Sequence, residues 1–258
     1  MTELERCITL LREIDHRAAK NQVPFRFGTA YLHDEVPRVW SRNYLSLEHG
    51  LDEATPGLLA VEADRVLGDA GVTHRKLEVF DAEAGARLAP GLAKLGWQVE
   101  CDVVMVAARE TDRHVDLSSA EEVSQDELEP IWAEANRDEG HIDDEDVIRE
   151  LAEGKRVLAS AIDVRFFGAR VEGEIGAYCE LYSLAGTGQI ENVLTLQRHR
   201  NRGLARALVL RALAASRASG NDLTFLLANR DDWPKELYRK LGFDEVGLIY
   251  DFVIPSPK

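Results

Sequence analysis

The sequence has few of the residues that mark disulfide-bonded, metal-binding or membrane-spanning proteins. Its 258 residues include three cysteines, Cys7, Cys101 and Cys179, which form no CxxC pair or Cys/His cluster. We therefore predict free thiols that act as small apolar residues in a reducing compartment, and no bound metal. No apolar run reaches the roughly 20 residues that a membrane-spanning helix needs. The segment Met1–Glu13 carries three glutamates, which argues against a signal peptide, so we expect a cytoplasmic protein.

Positive charge is also scarce. The chain has 31 lysines and arginines against 46 aspartates and glutamates, for a net charge of -15. Because nucleic-acid binding needs a basic surface, this balance argues against nucleic acid as the main partner. The composition, 45% hydrophobic and 30% charged, is that of a globular protein with one large domain or two of ordinary size.

Hydrophobic periodicity predicts helices and strands along the whole chain. The predicted helices cover residues 2–20, 56–70, 84–95, 121–135, 145–152, 205–219 and 233–241. The predicted strands cover residues 25–32, 43–48, 74–80, 100–107, 157–171, 174–184, 189–196, 223–228 and 246–254. The polar stretch Ala108–His114 lacks periodicity and indicates a domain boundary or a crossing at a strand edge. We predict an α/β (α+β) fold of two domains, residues 1–110 and 115–258, each a mixed central sheet flanked by helices.

The most informative local motif is a basic turn, Gln197–Ala205, with the sequence QRHRNRGLA. It follows the apolar run Val193–Leu196 and opens a helix rich in alanine and leucine. The first N–H groups of a helix have no partner inside it, and its dipole is positive there, so such a turn can bind a pyrophosphate. A nucleotide-binding protein could use a similar turn. The chain, however, has no GxGxxG and no GxxxxGK[ST] motif.

An internal repeat relates the two halves. Gly203-Leu204 lies 146 positions after Gly57-Leu58, and Lys240–Phe243 lies the same distance after Lys94–Trp97. One gap-free offset that fits both segments indicates a duplication.

The repeat fails at the basic turn. Arg200 corresponds to Ala54 and Arg202 to Pro56, and a proline has no N–H to donate. If the turn binds an anionic cofactor, only the second half is expected to do so.

Two segments resemble those of the GNAT superfamily of N-acetyltransferases. Arg200–Ala205 resembles the Q/R-x-x-G-x-G/A signature of that family, and Leu237–Phe243 resembles its later LYxKLGF segment. Both occur in the family's order, with a helix and a strand between them. The resemblance covers about residues 116–253 directly and the first half only through the repeat. It implies tandem GNAT domains, a degenerate first copy, and acetyl-CoA as acyl donor.

The resemblance also implies a set of cofactor-binding residues. N–H groups from Arg202 to Arg206 would hold the pyrophosphate, and the strand Val193–Leu196 would pair with the pantetheine arm and polarise the thioester. Asn229 stands where the family often has an asparagine, although Asp231–Pro234 lengthens the connection that follows. The implied residues are Val193, Leu194, Thr195, Leu196, Arg200, Asn201, Arg202, Gly203, Leu204, Ala205, Arg206 and Asn229.

Two residues correspond to catalytic positions of the family. Tyr238 would be the general acid that protonates the departing thiolate, and the alternative is a core aromatic. Glu191 would be the general base, directly or through water, and the alternative is a solvent-facing strand residue. Two functions follow. The first is acetyl transfer from acetyl-CoA to a primary amine of a small molecule or peptide, in a ternary complex. The second is a non-catalytic acyl-CoA sensor or scaffold.

The acceptor is not identified by any motif. The segments Asp138–Asp146, Gly186–Gly188 and His33–Trp40 are candidates to frame its site, so a contribution of the first half stays open. The acidic segment 138–146 favours a cationic acceptor such as an aminoglycoside, polyamine or peptide amine, and the alternative is a capped, solvated helix start. Both a monomer and a homodimer are compatible with the sequence.

Overall fold

Strands from both halves of the chain join in one mixed sheet of eleven strands in the computed structural model, which describes residues 1–138 and 140–256. Glu139, in the predicted acidic segment, and the last two residues of the predicted second domain lie outside the described residues. The helices are α1 Glu3–Ala18, α2 Pro56–Asp69, α3 Ala82–Lys94, α4 Gln125–Asp138, α5 Glu145–Ala161, α6 Leu204–Ala218 and α7 Pro234–Lys240. The strands are β1 Asn21–Phe25, β2 Gly28–Leu32, β3 Tyr44–Leu47, β4 Arg75–Val79, β5 Gln98–Ala107, β6 Ala120–Val123, β7 Asp163–Val171, β8 Glu174–Leu184, β9 Thr187–Thr195, β10 Leu223–Asn229 and β11 Phe243–Ile254. Short 3-10 helices span Trp40–Arg42, Leu51–Glu53 and Gln197–His199.

The two halves exchange their last strands. The strand order is β1-β2-β3-β4-β11-β5-β10-β9-β8-β7-β6, so β11 lies between two strands of the first half and β5 between two strands of the second. The long β5–β11 pair is antiparallel, from Phe243 opposite Ala107 to Val253 opposite Gln98. The predicted mixed sheet with flanking helices is confirmed, and the strand exchange merges the two expected sheets into one.

The order of elements repeats between the halves. The series α1-β1-β2-β3-α2-β4-α3-β5 has the same order as α5-β7-β8-β9-α6-β10-α7-β11. Helix α4 and strand β6 precede the second series and have no counterpart in the first. This order agrees with the sequence repeat, and the division at residues 110 and 115 stays a prediction.

Helix α1 packs across the junction of the halves. It begins with a capping box, in which Thr2 Oγ1 accepts from Glu5 N–H (3.2 Å) and the Glu5 carboxylate accepts from Thr2 N–H (2.7 Å). The apolar stripe Cys7, Leu10 and Ile14 is buried against central strands of the sheet. We refer to the sheet face under α1 and α5 as the α1/α5 face, and to the opposite one as the α2/α6 face.

Four predicted elements are wrong in extent, namely the strand 25–32, the helix 121–135, the helix 145–152 and the strand 157–171. Residues 25–32, predicted as one strand, contain the turn of the β1–β2 hairpin. The helix predicted from residue 121 begins at Gln125, because Glu121 and Glu122 lie in β6 and pair with arginines of β7. The strand predicted from residue 157 begins at Asp163, because α5 continues to Ala161 and buries Leu158.

None of the described helices has the length and apolarity required to cross a membrane.

Candidate active site

A gap opens between the two parallel strands β9 and β10. They pair only from Thr187 opposite Leu223 to Ile190 opposite Leu226. Beyond that point each strand keeps only the partner on its other edge, β8 for β9 and β5 for β10. The edge of β9 that faces the gap therefore keeps its backbone groups available for an added, strand-like ligand.

A β-bulge shapes the end of β9 beside this gap. Glu191 lies opposite Glu180 and Leu194 lies opposite Tyr178, so one extra residue is accommodated around Asn192. Asn192 has a positive φ of 53°, and its side-chain amide donates to Glu180 Oε2 at 2.9 Å. Such a bulge bends the strand and re-aims the residues that follow it.

The basic turn leads into α6 at the mouth of the gap. Gly203 is the N-cap with a φ of 79°, and the first bond of the helix runs from Ala207 N–H to Gly203 O at 3.2 Å. The N–H groups of Leu204, Ala205 and Arg206 precede that bond and point out of the helix start. A Cβ at Gly203 would meet no protein atom within 4 Å, so the space in front of these donors is open.

One cavity of about 670 Å³ joins the gap, the turn and the helix start. Its lining residues are Val193, Leu194, Thr195, His199, Arg200, Asn201, Arg202, Gly203, Leu204, Ala205, Arg206, Asp232, Trp233, Pro234, Leu237 and Tyr238. Ten of the twelve predicted cofactor-binding residues are therefore together in one wall, with Tyr238 beside them.

Leu196 and Asn229 are not part of that lining. Leu196 is buried among the aromatic residues under α4, and its N–H donates to Gly176 O. Asn229 is exposed, and its Oδ1 accepts from Asp231 N–H at 2.9 Å, which closes the turn after β10. The Asn229 side chain is therefore bonded to the lengthened Asp231–Pro234 connection that follows it, and it does not line the cavity.

Arg198 and Arg200 of the turn, and Arg206 just after it, have partners within the protein, and the partner of Arg198 is Glu134 of α4. The Arg206 guanidinium pairs with Asp112 (2.8 Å), a residue of the predicted boundary region. Arg200 Nε donates to Thr195 O at 3.2 Å, which ties the turn to the end of β9. These bonds orient the basic side chains along the cavity.

Glu191 sits in a carboxylate pair next to the gap. It lies directly opposite Glu180, which is buried and forms an ion pair with Lys155. Burial raises the pKa of Glu191 to about 7, and the charge of Glu180 adds to the rise, while a bond from Gln189 (2.6 Å) opposes it. Glu191 is thereby held near the pKa that suits a general base at neutral pH.

Tyr238 reaches the cavity from α7. Its side chain is almost fully buried and packs near Phe243, with ring centroids 6.4 Å apart. Burial raises the pKa of Tyr238 above its usual range, and the charge of Glu191 raises it further. The hydroxyl therefore stays protonated and can donate a proton.

Sequence reasoning missed several residues of this site. Trp233 lines the cavity and is 68% exposed, and an aromatic residue within the polar run Asp231–Pro234 was a signal for it. Both ring nitrogens of His199, another lining residue, are buried without a hydrogen-bond partner among the described residues. Glu180 could have been noticed as the one carboxylate within the apolar run Ala177–Leu184.

No metal centre is found among residues 1–138 and 140–256. Within those ranges, no three side chains of His, Cys, Asp or Glu are grouped so that they could hold an ion.

Comparisons with known proteins show a likeness in fold and a match for one segment of the sequence. A search of curated protein sequences finds no match to the chain. Three solved structures resemble it in fold. They are a functionally unknown conserved protein from Staphylococcus epidermidis (TM-score 0.65, 14% identity, covering 92% of this chain and 94% of that one), a GCN5-related N-acetyltransferase from Kribbella flavida (0.63, 21%, 98% and 95%), and a tandem GNAT protein from the clavulanic acid biosynthesis pathway (0.53, 13%, 78% and 70%).

The sequence of part of the chain matches a protein-family model. Residues 163–245, which run from β7 into β11, match the acetyltransferase (GNAT) domain. The match includes the gap, the basic turn and Tyr238. The segment 163–245 therefore belongs to the GNAT family of acetyltransferase domains.

Proposed function

We propose that the second half of the chain is an N-acetyltransferase that moves an acetyl group from acetyl-CoA to a primary amine in a ternary complex. The observation that carries this proposal is the single cavity in which the open edge of β9, the start of α6 and the Tyr238 hydroxyl meet. The acceptor is an amine of a small molecule or peptide. No enzyme thiol is needed, and Cys179 is buried away from solvent.

The cavity wall fits acetyl-CoA. The N–H groups of Leu204, Ala205 and Arg206 face outward beside an open space at Gly203, which suits a pyrophosphate at a helix start. The edge of β9 offers backbone groups to the amides of a pantetheine arm. When bound, acetyl-CoA supplies an activated acyl group as a thioester.

Two side chains are proposed to handle the protons. Glu191 takes a proton from the attacking ammonium, directly or through water, because its pKa of about 7 leaves a large unprotonated fraction at neutral pH. Tyr238 gives its proton to the departing sulfur as the C–S bond breaks and the new C–N bond forms. The backbone N–H groups after the bulge stabilise the negative charge that grows on the carbonyl oxygen.

A glycine pair offers a matched test of the cofactor site. Gly203→Glu should abolish acetyl-CoA binding in isothermal titration, because the added carboxylate fills the open space and repels phosphate. Gly173→Glu is the control, since Gly173 also has a positive φ (92°), lies in an exposed hairpin turn and has open space at its Cβ position. Normal acetyl-CoA affinity in Gly203→Glu would contradict the assignment.

Turnover separates the catalytic proposal from its alternative. A panel of primary amines is incubated with enzyme and acetyl-CoA, and released thiol is measured. Release with some amines supports the transferase. Tight acetyl-CoA binding without release for any amine favours a non-catalytic acyl-CoA sensor or scaffold.

We place the protein in the cytoplasm, and its three free thiols support a reducing compartment.

A further inference from the structure

A second and larger cleft lies between the two halves of the chain. Its volume is about 1040 Å³. One wall comes from Arg38–Ser41 of the first half, and the other comes from the loop before α5 and the first turns of α5. The floor is formed by Lys76 of β4, Glu100 of β5 and Asp251 of β11, so it includes both exchanged strands, β5 and β11, and their neighbour β4.

The uncompensated charge of this cleft is negative. Among the described residues, four carboxylates line it (Glu100, Asp143, Asp144 and Asp251) against two cations, Arg38 and Lys76. Both cations are already paired.

Arg38 pairs with Glu150 at 2.7 Å and with Asp144 at 3.1 Å, and Lys76 pairs with Asp251 at 3.2 Å. Oδ1 of Asp251 is buried and has no hydrogen-bond partner among the described residues. An isolated acceptor of this kind is costly to bury, and a ligand cation would supply the missing partner.

The rim and walls suit the alkyl part of an organic cation. Trp40 at the rim is 38% exposed, and its indole face can hold an ammonium group by a cation–π contact. Val147 and Leu151 of α5 supply apolar surface opposite it. Carboxylates, an aromatic face and aliphatic walls together fit a chain of methylenes that carries ammonium groups.

The cleft leads toward Glu191 along α5. Val147, Leu151 and Lys155 are spaced by four residues and therefore share one face of the helix. Lys155 forms the ion pair with Glu180, which lies opposite Glu191. One helical turn, about 5–6 Å, separates the wall of the cleft from that ion pair.

Acidic residues of the cleft floor also extend toward Glu191. Asp102 follows Glu100 by two residues on β5, so both side chains point to the α1/α5 face. Asp102 lies opposite Asn229 of β10, at the open end of the gap beside β9. A run of acids thus extends from the cleft to the gap, and strand geometry puts Glu100 on the order of 15 Å from Glu191.

We propose that this cleft is the far part of the acceptor site, and that the acceptor is an extended organic cation with at least two ammonium groups. One amine would lie at Glu191, and a second would bind between Glu100 and Asp251. The proposal rests on the acetyl transfer proposed above and deepens it, because it gives the first half a part in acceptor binding.

A homologous series of amines tests the proposal. The probes are α,ω-diaminoalkanes from 1,4-diaminobutane to 1,10-diaminodecane, each compared with the n-alkylamine of the same length. We expect kcat/KM for the best diamine to exceed that of its monoamine about tenfold or more, with an optimum among the longer chains. Equal kcat/KM values for diamines and monoamines at every length would overturn the proposal.

Variants that remove one charge test whether the preference for diamines over monoamines depends on the cleft. Glu100→Gln should lower the diamine-to-monoamine ratio about three- to tenfold, and Glu172→Gln, the same change in the exposed β7–β8 turn, should leave it unchanged. Asp251→Asn should abolish the preference. Because that variant leaves Lys76 unpaired and could lose stability, the exposed Glu100 carries the test. Identical ratios in Glu100→Gln and Glu172→Gln would contradict the proposal.

Direct binding keeps this inference separate from the transferase proposal. Isothermal titration of 1,8-diaminooctane into the full chain should give binding that Glu100→Gln weakens and Glu172→Gln does not. If acetyl-CoA binds but no amine is acetylated, acetyl transfer fails, and Glu100-dependent diamine binding still supports the cleft. Titration without measurable binding to the unmodified chain overturns it.

Discussion

Glu191 and Tyr238, which lie beside the β9–β10 gap, are suited to opposite roles in proton transfer. The pKa of Glu191 is about 7, which is close to neutral pH. Burial and the negative charge of Glu191 raise the pKa of Tyr238, so its hydroxyl stays protonated. A base and an acid with well-separated pKa values are what proton transfer in two directions requires. Burial is the main cause of both shifts, and the charge of Glu180, a residue absent from the sequence-based site, raises the pKa of Glu191 further.

The pH profile tests the role of Glu180. Glu191 must be unprotonated to act, so kcat/KM should rise with pH through about 7 and fall as pH drops below it. Glu180→Gln removes a neighbouring negative charge and frees Lys155, and both effects lower the pKa of Glu191. The rising limb should therefore move to lower pH, measured with one amine in both proteins.

Two controls accompany this profile. Ionisation of the free amine affects both proteins equally, so only the difference between them is interpreted. Glu191→Gln should abolish the rising limb of the pH profile and lower kcat/KM about 10²- to 10⁴-fold. An unchanged midpoint in Glu180→Gln would remove the carboxylate pair from the mechanism.

Tyr238→Phe isolates the proposed acid. It keeps the ring that packs near Phe243 and removes only the hydroxyl, so kcat should fall about 10²-fold with acetyl-CoA affinity within about twofold. Tyr250→Phe, a change at another buried tyrosine outside the cavity lining, should leave kcat unaltered. A normal kcat in Tyr238→Phe would return that residue to a packing role.

At the scale of elements, the bulge in β9 determines where the strand's backbone donors point. Asn192 combines a left-handed backbone with a side-chain bond to Glu180. A β-branched residue is strained at positive φ, whereas glycine is not. The two features can therefore be separated by substitution.

Asn192→Val and Asn192→Gly form a matched pair. Both lose the bond to Glu180, but only valine strains the bulge, so kcat in Asn192→Val should be about tenfold lower than in Asn192→Gly, measured by thiol release. Thermal unfolding of both variants shows whether each is folded. Equal kcat values would mean that the bulge geometry does not orient the reacting carbonyl.

Local elements could largely be predicted from the sequence, because their signals are local. The Gly203 turn, the α6 helix and the Tyr238 helix are specified by glycine, proline and apolar spacing within a few residues. Strand β6 could not be, since Glu121 and Glu122 are good helix formers that become a strand only through pairing with arginines of β7. Long-range pairing outweighed local propensity there.

The strand exchange was outside the reach of any local pattern. The apolar runs that become β5 and β11 look alike, as the repeat showed, and periodicity does not say which half each one joins. The cleft at the junction depends on that exchange, because its floor takes Glu100 from one exchanged strand and Asp251 from the other. The acceptor site was therefore the least predictable part of the molecule.

At the scale of the whole molecule, the junction also concentrates buried charge. Burial raises the pKa of Asp15 to about 6, with Arg42 as its opposing partner, and burial also raises the pKa of Asp102 to about 6. Such groups stabilise a fold less than apolar residues of similar size would. Their position on the α1/α5 face, beside the proposed acceptor cleft, is consistent with a functional reason for retaining them.

The exchange leads us to expect that the two halves unfold together. Strand β11 pairs with β4 and β5, and β5 pairs with β10 and β11, so neither half completes its sheet alone. Because α1 covers strands of both halves, opening either one exposes the core of the other. We expect one calorimetric unfolding transition, with equal calorimetric and van't Hoff enthalpies.

Ligand binding provides the control for this cooperativity. Acetyl-CoA is proposed to bind only the second half, so in a cooperative molecule it should shift the whole transition to higher temperature without splitting it. Gly203→Glu should unfold in one step as well and show no shift with acetyl-CoA. Two resolved transitions, of which acetyl-CoA moves only one, would show that the halves unfold independently despite sharing a sheet.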